Sequence, residues 1–226
     1  MIVAEQKSLE EIKAMLAPFT RVLVLGCGTC VTVCFAGGEK EVGILASTLR
    51  MAFRLAGQEK TILEATVQRQ CEYEYNAPLA DKLKDVDVVL SLACGIGVQT
   101  MNEQFTALRT VPGLNTSFLG QPTEHGSWSE RCQACGNCVL ERTGGICPIA
   151  RCSKSLLNGP CGGSSGGKCE IAKDVDCAWQ LIYDRLKALD LLHLMEEITP
   201  EKDWSSSRDG GPRRIVREDL RLGKPD

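Results

Sequence analysis

The sequence predicts an α/β fold: a small doubly wound parallel sheet of about four strands, followed by a cysteine-rich segment and a C-terminal helix and tail. Three observations carry this prediction. Strand-like and helix-like periodicities alternate over the first 120 residues, the signature of a parallel sheet with right-handed crossovers. The composition then changes at Gly120, after which long aliphatic residues thin out and Cys, Gly, Ser and Pro accumulate. Finally, the 13 cysteines fall into two groups, five scattered through the α/β part and eight confined to residues 132–177.

Taken in order, Leu9, Ile12, Met15 and Leu16 lie at helical spacing within residues 6–17, with Glu10 and Glu11 early, where acidic groups suit the helix dipole. Arg21 to Leu25 is a short aliphatic run stopped by Gly26, the profile of a strand buried on both faces. Residues 39–56 return to helical periodicity. Strand-like Thr61 to Val67 follows, then a helical stretch from Leu79 to Lys84 and the apolar strand Val86 to Leu92. A helix from about Val98 to Arg109 leads to a last strand near Leu114 to Phe118. These elements make a first domain of residues 1–120.

The segment GQPTEHGSW reads as a turn-rich linker. Residues 121–178 form a second region that is too poor in apolar residues to offset its conformational entropy, so metal or a partner must order it. A third region, 179–226, opens on an amphipathic helix marked by Trp179, Leu181, Ile182, Leu186 and Leu189. It ends in a polar tail, whose Trp204, Arg213, Arg214 and Arg217 are expected to dock on a partner or on the cysteine-rich region.

Net charge is −3, which gives no electrostatic reason to expect nucleic acid or an anionic membrane as partner. The acidic start of the chain is unlike a secretory signal, and no apolar run approaches the roughly 20 residues of a membrane span. A cytoplasmic protein is therefore expected. In that compartment thiols stay reduced, so dense cysteines point to metal or redox chemistry rather than to disulfides, and their odd number argues against complete pairing.

Cys27 and Cys30 follow the first strand in GCGTC, Cys71 follows the second in VQRQC, and Cys94 follows the third in SLACGIG. In a doubly wound sheet these loops meet outside the carboxyl edge, where ligands bind at the topological switch point. Thiolates are soft ligands, and four suit either an iron-sulfur cluster or zinc. Five candidates compete for four places. Cys27, Cys30, Cys71 and Cys94 are favoured, because Cys34 falls a turn into the next helix if that helix starts near Thr29. Glycines at 26, 28, 95 and 97 would let backbone approach a bulky cluster. The Gly26-x-Gly28 pair is no dinucleotide loop, since Val31 stands where the third glycine belongs.

In the second group, Cys132-x2-Cys135-x2-Cys138 followed by Cys147-Pro148 echoes the bacterial ferredoxin run, although eight residues rather than three precede the Cys-Pro. With Cys152, Cys161, Cys169 and Cys177 the group supplies eight thiolates, the number two 4Fe-4S clusters require. Structural zinc more often uses paired Cys-x2-Cys knuckles, yet it stays an alternative at one site. Gly162 to Lys168 mimics a phosphate loop, but Cys169 replaces the magnesium-binding hydroxyl and no strand precedes it. His125 and His193 are read as solvated and packing residues.

With CQACGNCVLERTGGICPIARCSKSLLNGPCGGSSGGKCEI in view, and the NGPCGG and GGPRR segments beyond the cysteine spacing, the chain resembles the methylenetetrahydrofolate reductase C-terminal family. GCGTCVTVCFAGGEKEVG and LACGIGVQT resemble the same family's N-terminal part. The resemblance implies an iron-sulfur electron-transfer subunit of one-carbon folate metabolism in the reductive acetyl-CoA (Wood-Ljungdahl) pathway. Its partner would be a flavin-bearing methylenetetrahydrofolate reductase catalytic subunit holding FMN, with further electron-transfer subunits beyond it. It also implies that the eight later cysteines are ligands, in a family some of whose members contain zinc.

No catalytic residues are expected on this chain. It has two histidines, no flavin or folate pocket signature and no nucleophile-base pair, and saturating a metal with thiolates leaves no open position for substrate. The readings that remain are an electron relay with one N-terminal and up to two C-terminal 4Fe-4S clusters, a zinc-stabilised assembly module of the same reductase, and a cluster enzyme in which substrate displaces Cys71 or Cys94.

Overall fold

The computed structural model describes residues 1–217 and 219, so the last stretch of the tail read from the sequence, residues 218 and 220–226, lies outside the described residues. It forms two compact units, the first Met1–Ser129 and the second beginning at Glu130.

The first unit opens with strand β1 (Ile2–Gln6) and helix α1 (Leu9–Leu16), whose N-terminus is capped by Ser8, the hydroxyl accepting from the Glu11 amide at 3.2 Å. Strand β2 (Arg21–Cys27), a short helical turn α2 (Cys30–Val33) and helix α3 (Glu39–Leu55) follow. Then come β3 (Thr61–Val67), the short helices α4 (Tyr73–Asn76) and α5 (Ala80–Leu83), β4 (Val88–Ser91), α6 (Gly95–Gln104) and β5 (Arg109–Pro112). β2 to β5 form a parallel four-stranded sheet in the order β3-β2-β4-β5. Strand order reverses between β2 and β4, which makes that gap the switch point.

Alternation along β2 explains why its sequence is apolar throughout. Val22 and Val24 pack on one face with Ile12, Leu16, Val42 and Leu49, while Leu23 and Leu25 pack on the other with Leu79, Leu83 and Met101. Both faces are thus covered.

Two expectations are corrected. The stretch from Leu114 is not the last parallel strand; Arg109–Pro112 is, and its Pro112 is tolerated because β5 is an edge strand. Leu114 instead begins β6 (Leu114–Glu124), which pairs antiparallel with β1 from Ile2↔Leu119 to Gln6↔Leu114. Gly113 makes the transition: its amide donates to Ser91 O at 2.8 Å, and its carbonyl accepts from the Lys7 amide at 2.9 Å. The supposed linker GQPTEHGSW is also structured, since it completes β6, turns at Gly126 (φ 79°) and enters β7 (Ser127–Cys132) of the three-stranded sheet β1-β6-β7.

One close approach constrains the path after α2. Gly37 lies so near β4 that a Cβ on it would sit 1.8 Å from the Leu92 carbonyl oxygen, while the Gly37 carbonyl accepts from the Cys27 amide at 2.9 Å. Gly37→Ala is therefore expected to lower stability by roughly 2–4 kcal/mol through overpacking against backbone, read by urea denaturation of the full chain. An unchanged midpoint would contradict this packing.

The second unit has little regular structure. After β7 come a short turn α7 (Pro148–Arg151), helix α8 (Ala178–Ala188) and single helical turns at Leu192–Met195 and Trp204–Ser206. Its fully assembled core is small: Cys177, Trp179, Ile182 and Leu186 are buried, with Ile146, Cys152 and Leu156 packed against them. No helix among the described residues is long and apolar enough to cross a membrane.

Candidate metal centres

The sheet brings three cysteine loops to one edge. Cys27 ends β2, Cys71 follows β3 and Cys94 caps the start of α6 directly after β4, so Cys27 and Cys94 flank the switch point. Burial pushes the Cys71 thiol above its ordinary pKa, and negative charge on Cys27 and on Cys94 pushes it further the same way. A cation bound among thiolates would relieve repulsion of this sign. Cys30 opens α2 from the same loop as Cys27.

Cys34 is set apart by geometry. It is 7 % exposed, as Cys27 is, but its thiol donates to Ala4 O at 3.5 Å and Val31 O at 3.6 Å. Burial pushes its pKa up, keeping it a neutral thiol tied to β1.

A residue that sequence reading missed holds the edge together. Gln70, fully buried, donates from Nε2 to Leu25 O at 2.9 Å and to Gly26 O at 3.0 Å, and its Oε1 accepts from the Ser91 hydroxyl at 2.7 Å. Its own carbonyl accepts from Asn76 Nδ2 at 2.9 Å. One amide thus joins the ends of β2 and β4 to the loop that carries Cys71. Two of the four glycines expected to cradle a cluster are explained by packing inside the protein. A Cβ at Gly26 would meet Thr66 and Val42 at 2.7 Å, and one at Gly97 would meet Ala93 at 2.7 Å and Gln70 at 2.9 Å. Gly28 and Gly95 have room.

The later cysteines form two neighbourhoods. In the first, Ala134 (φ 51°) and Gly136 (φ 85°) turn the backbone left-handed within Cys132-x2-Cys135-x2-Cys138. The Ala134 amide donates to Cys132 Sγ at 3.3 Å, and the Ala150 amide donates to Cys147 Sγ at 3.4 Å, the amide-to-sulfur contacts that tune a thiolate-held metal. In the second, Cys152, Cys161, Cys169 and Cys177 all line one cavity of about 20 Å³, alongside Arg151 and Lys154. The Cys161 thiol donates to Glu170 Oε2 at 3.2 Å, and that carboxylate pairs with Lys154 at 2.6 Å. A hydrogen bond with the Ser153 hydroxyl, 3.3 Å away, holds the Cys169 thiol below its usual pKa, assisted by backbone contacts of Ala172 and Ile171.

As they stand, no three His, Cys, Asp or Glu side chains among the described residues surround a single point closely enough to grip an ion. The donor chemistry nevertheless fits soft metals: each later group offers four thiols, amides are aimed at sulfur at Cys132 and Cys147, left-handed residues bend the loops, and the Glu170 carboxylate stands beside Cys161. The histidines take other roles. The His125 ring lies 5.9 Å from that of Phe35, and His193 sits in the turn after α8.

Residues 202–213 run along the Cys132–Cys138 loop. Lys202 Nζ donates to Asn137 O at 2.6 Å, Ser206 Oγ donates to Cys135 O at 3.1 Å, and Arg213 donates to Ala134 O. A Cβ on Gly136 would lie 2.3 Å from Ser206 O, so only glycine admits this contact.

A parallel α/β unit with cysteines at its carboxyl edge, continued by a segment that carries eight more, defines a cysteine-rich two-unit protein. Residues 111–205 match the model of the family described as methylene-tetrahydrofolate reductase C terminal. The matched segment contains all eight later cysteines and ends beyond Lys202 and Trp204; the first five cysteines precede it. No curated protein and no solved structure matches the chain.

Proposed function

We propose that this chain is the iron-sulfur electron-transfer subunit of a methylenetetrahydrofolate reductase complex, passing electrons to the FMN of a catalytic partner that reduces methylene- to methyl-tetrahydrofolate. The observation that carries the reading is the placement of the Cys27, Cys71 and Cys94 loops at one sheet edge, beside the switch point, in a chain whose later part matches a reductase C-terminal family model. Cys27, Cys30, Cys71 and Cys94 would hold one cluster, and Cys132, Cys135, Cys138 and Cys147 a second. A bound four-iron cluster supplies one-electron transfer without proton chemistry. The chain's own residues position thiolates, aim amides at sulfur and exclude water from one side of each centre.

At Cys152, Cys161, Cys169 and Cys177 a specific observation favours zinc. The space between them admits about one water-sized sphere, the scale of a single ion rather than of an eight-atom cube. This centre is structural in the proposal, fastening the loops that precede α8.

Metal analysis of anaerobically purified protein tests the whole reading. About eight iron atoms and one zinc per chain are expected, with a brown colour that bleaches on dithionite and returns as electrons pass to a flavin acceptor. About twelve iron atoms and no zinc would make the third centre a cluster and leave the relay in place. Colourless protein with zinc alone would replace the relay by a zinc-stabilised assembly module.

A further inference from the structure

Among the described residues, Lys202 is the one lysine that the second unit buries, at 8 % exposure. Its ammonium makes a 2.6 Å hydrogen bond to the Asn137 carbonyl and lies 5.5 Å from the centre of the Trp204 ring. It forms no ion pair with any carboxylate among the described residues. The adjacent Asp203 is engaged with Ser205, whose hydroxyl and amide are the main causes of its lowered pKa; the charge of Lys202 is the smallest. A cation withdrawn from water is costly unless an opposite charge compensates it. One carbonyl and one aromatic face offer partial compensation only.

The missing charge has an evident source. Asn137 lies inside Cys135-x2-Cys138, so the ammonium rests on the backbone of the loop whose thiols are to carry negative charge. Ser206 and Arg213 fasten the same segment to Cys135 O and Ala134 O, which fixes the lysine in place. We infer that Lys202 is the built-in counter-charge of the centre held by Cys132, Cys135, Cys138 and Cys147, and that it raises the reduction potential of that centre by favouring its more negative, reduced state. Lys202 is not one of the proposed thiolate ligands; it acts through the field it places on the loop. The inference rests on the relay reading and adds to it a residue that sets the direction of electron flow.

The test compares charge with hydrogen bonding in the anaerobic full-length protein, by potentiometric titration followed by electron paramagnetic resonance. Lys202→Gln keeps a donor for Asn137 O and removes the charge, whereas Lys202→Arg keeps the charge. The expected result is a more negative midpoint for one centre in Lys202→Gln, little change in Lys202→Arg, unaltered iron content in both, and an unmoved midpoint for the other centre. Trp204→Leu, which opens the ammonium to solvent and weakens its field, should move the same midpoint in the same direction by less, and it reports if Lys202→Gln fails to load iron. Potentials unchanged in every variant at full iron content would overturn the role of Lys202 alone, leaving it a prop for the loop. Colourless protein would overturn both this inference and the relay.

Discussion

Alanine at Cys27 should remove about four iron atoms per chain from anaerobically purified protein, whereas alanine at Cys34 should leave the iron content where it was. The contrast follows from where the two thiols point. Cys27 ends a central strand beside the switch point, and its charge opposes ionisation of Cys71 across the edge. Cys34 faces inward, donates to Ala4 O and serves β1 as a small apolar residue. Its removal should cost about 1 kcal/mol of stability and no metal. Iron quantification with the cluster absorption of the two variants decides the matter: loss of iron from Cys34→Ala, or its full retention in Cys27→Ala, would refute the assignment.

Gln70→Leu should cost about 3 kcal/mol in urea denaturation of the full chain and also reduce iron at the first centre selectively. The leucine fills the space but leaves the Ser91 hydroxyl without its acceptor and takes a donor from each of two buried carbonyls, of which Leu25 O keeps only the Leu92 amide at 2.8 Å. Gln70→Glu sharpens the test through pH. A carboxylate facing Leu25 O and Gly26 O would be disfavoured when charged, so its folded pKa would rise above the unfolded value. The variant would then lose stability as pH climbs past the ordinary Glu range of about 4.3, a dependence absent from Gln70→Leu. Equal stability of wild type and Gln70→Leu would show that the edge does not depend on this amide.

Much of the first unit was legible because its signals are local. The helix expected at 39–56 is α3 at Glu39–Leu55, and the strand Thr61 to Val67 is β3 to the residue. A buried parallel strand advertises itself by an unbroken aliphatic run, and loops at strand ends place cysteines without knowledge of side-chain contacts. What escaped was non-local. β1 and β6 pair across more than a hundred residues of chain, and nothing in IVAEQ or GQPTE announces the partner. Polar residues within GQPTEHGSW mimic a linker because Gln121 to Glu124, at the end of β6, are exposed on both faces of the small antiparallel sheet. Gln70 and Lys202 were invisible for the same reason. A single polar side chain has no periodicity, and its importance lies in hydrogen-bond partners 21–65 residues away. The one usable hint was position, since Gln70 immediately precedes a strand-end cysteine.

The tail invites a different description once its contacts are counted as mechanics. Lys202, Ser206 and Arg213 each grip a backbone carbonyl between Ala134 and Asn137, and none of the three contacts a sulfur. A clasp made on main-chain atoms is indifferent to what the thiols are doing, so it can close before metal arrives and stay closed while the metal changes charge. In the proposed relay it would hold the shape of the loop constant as charge comes and goes, and a loop that does not move would keep the reorganisation accompanying each electron small.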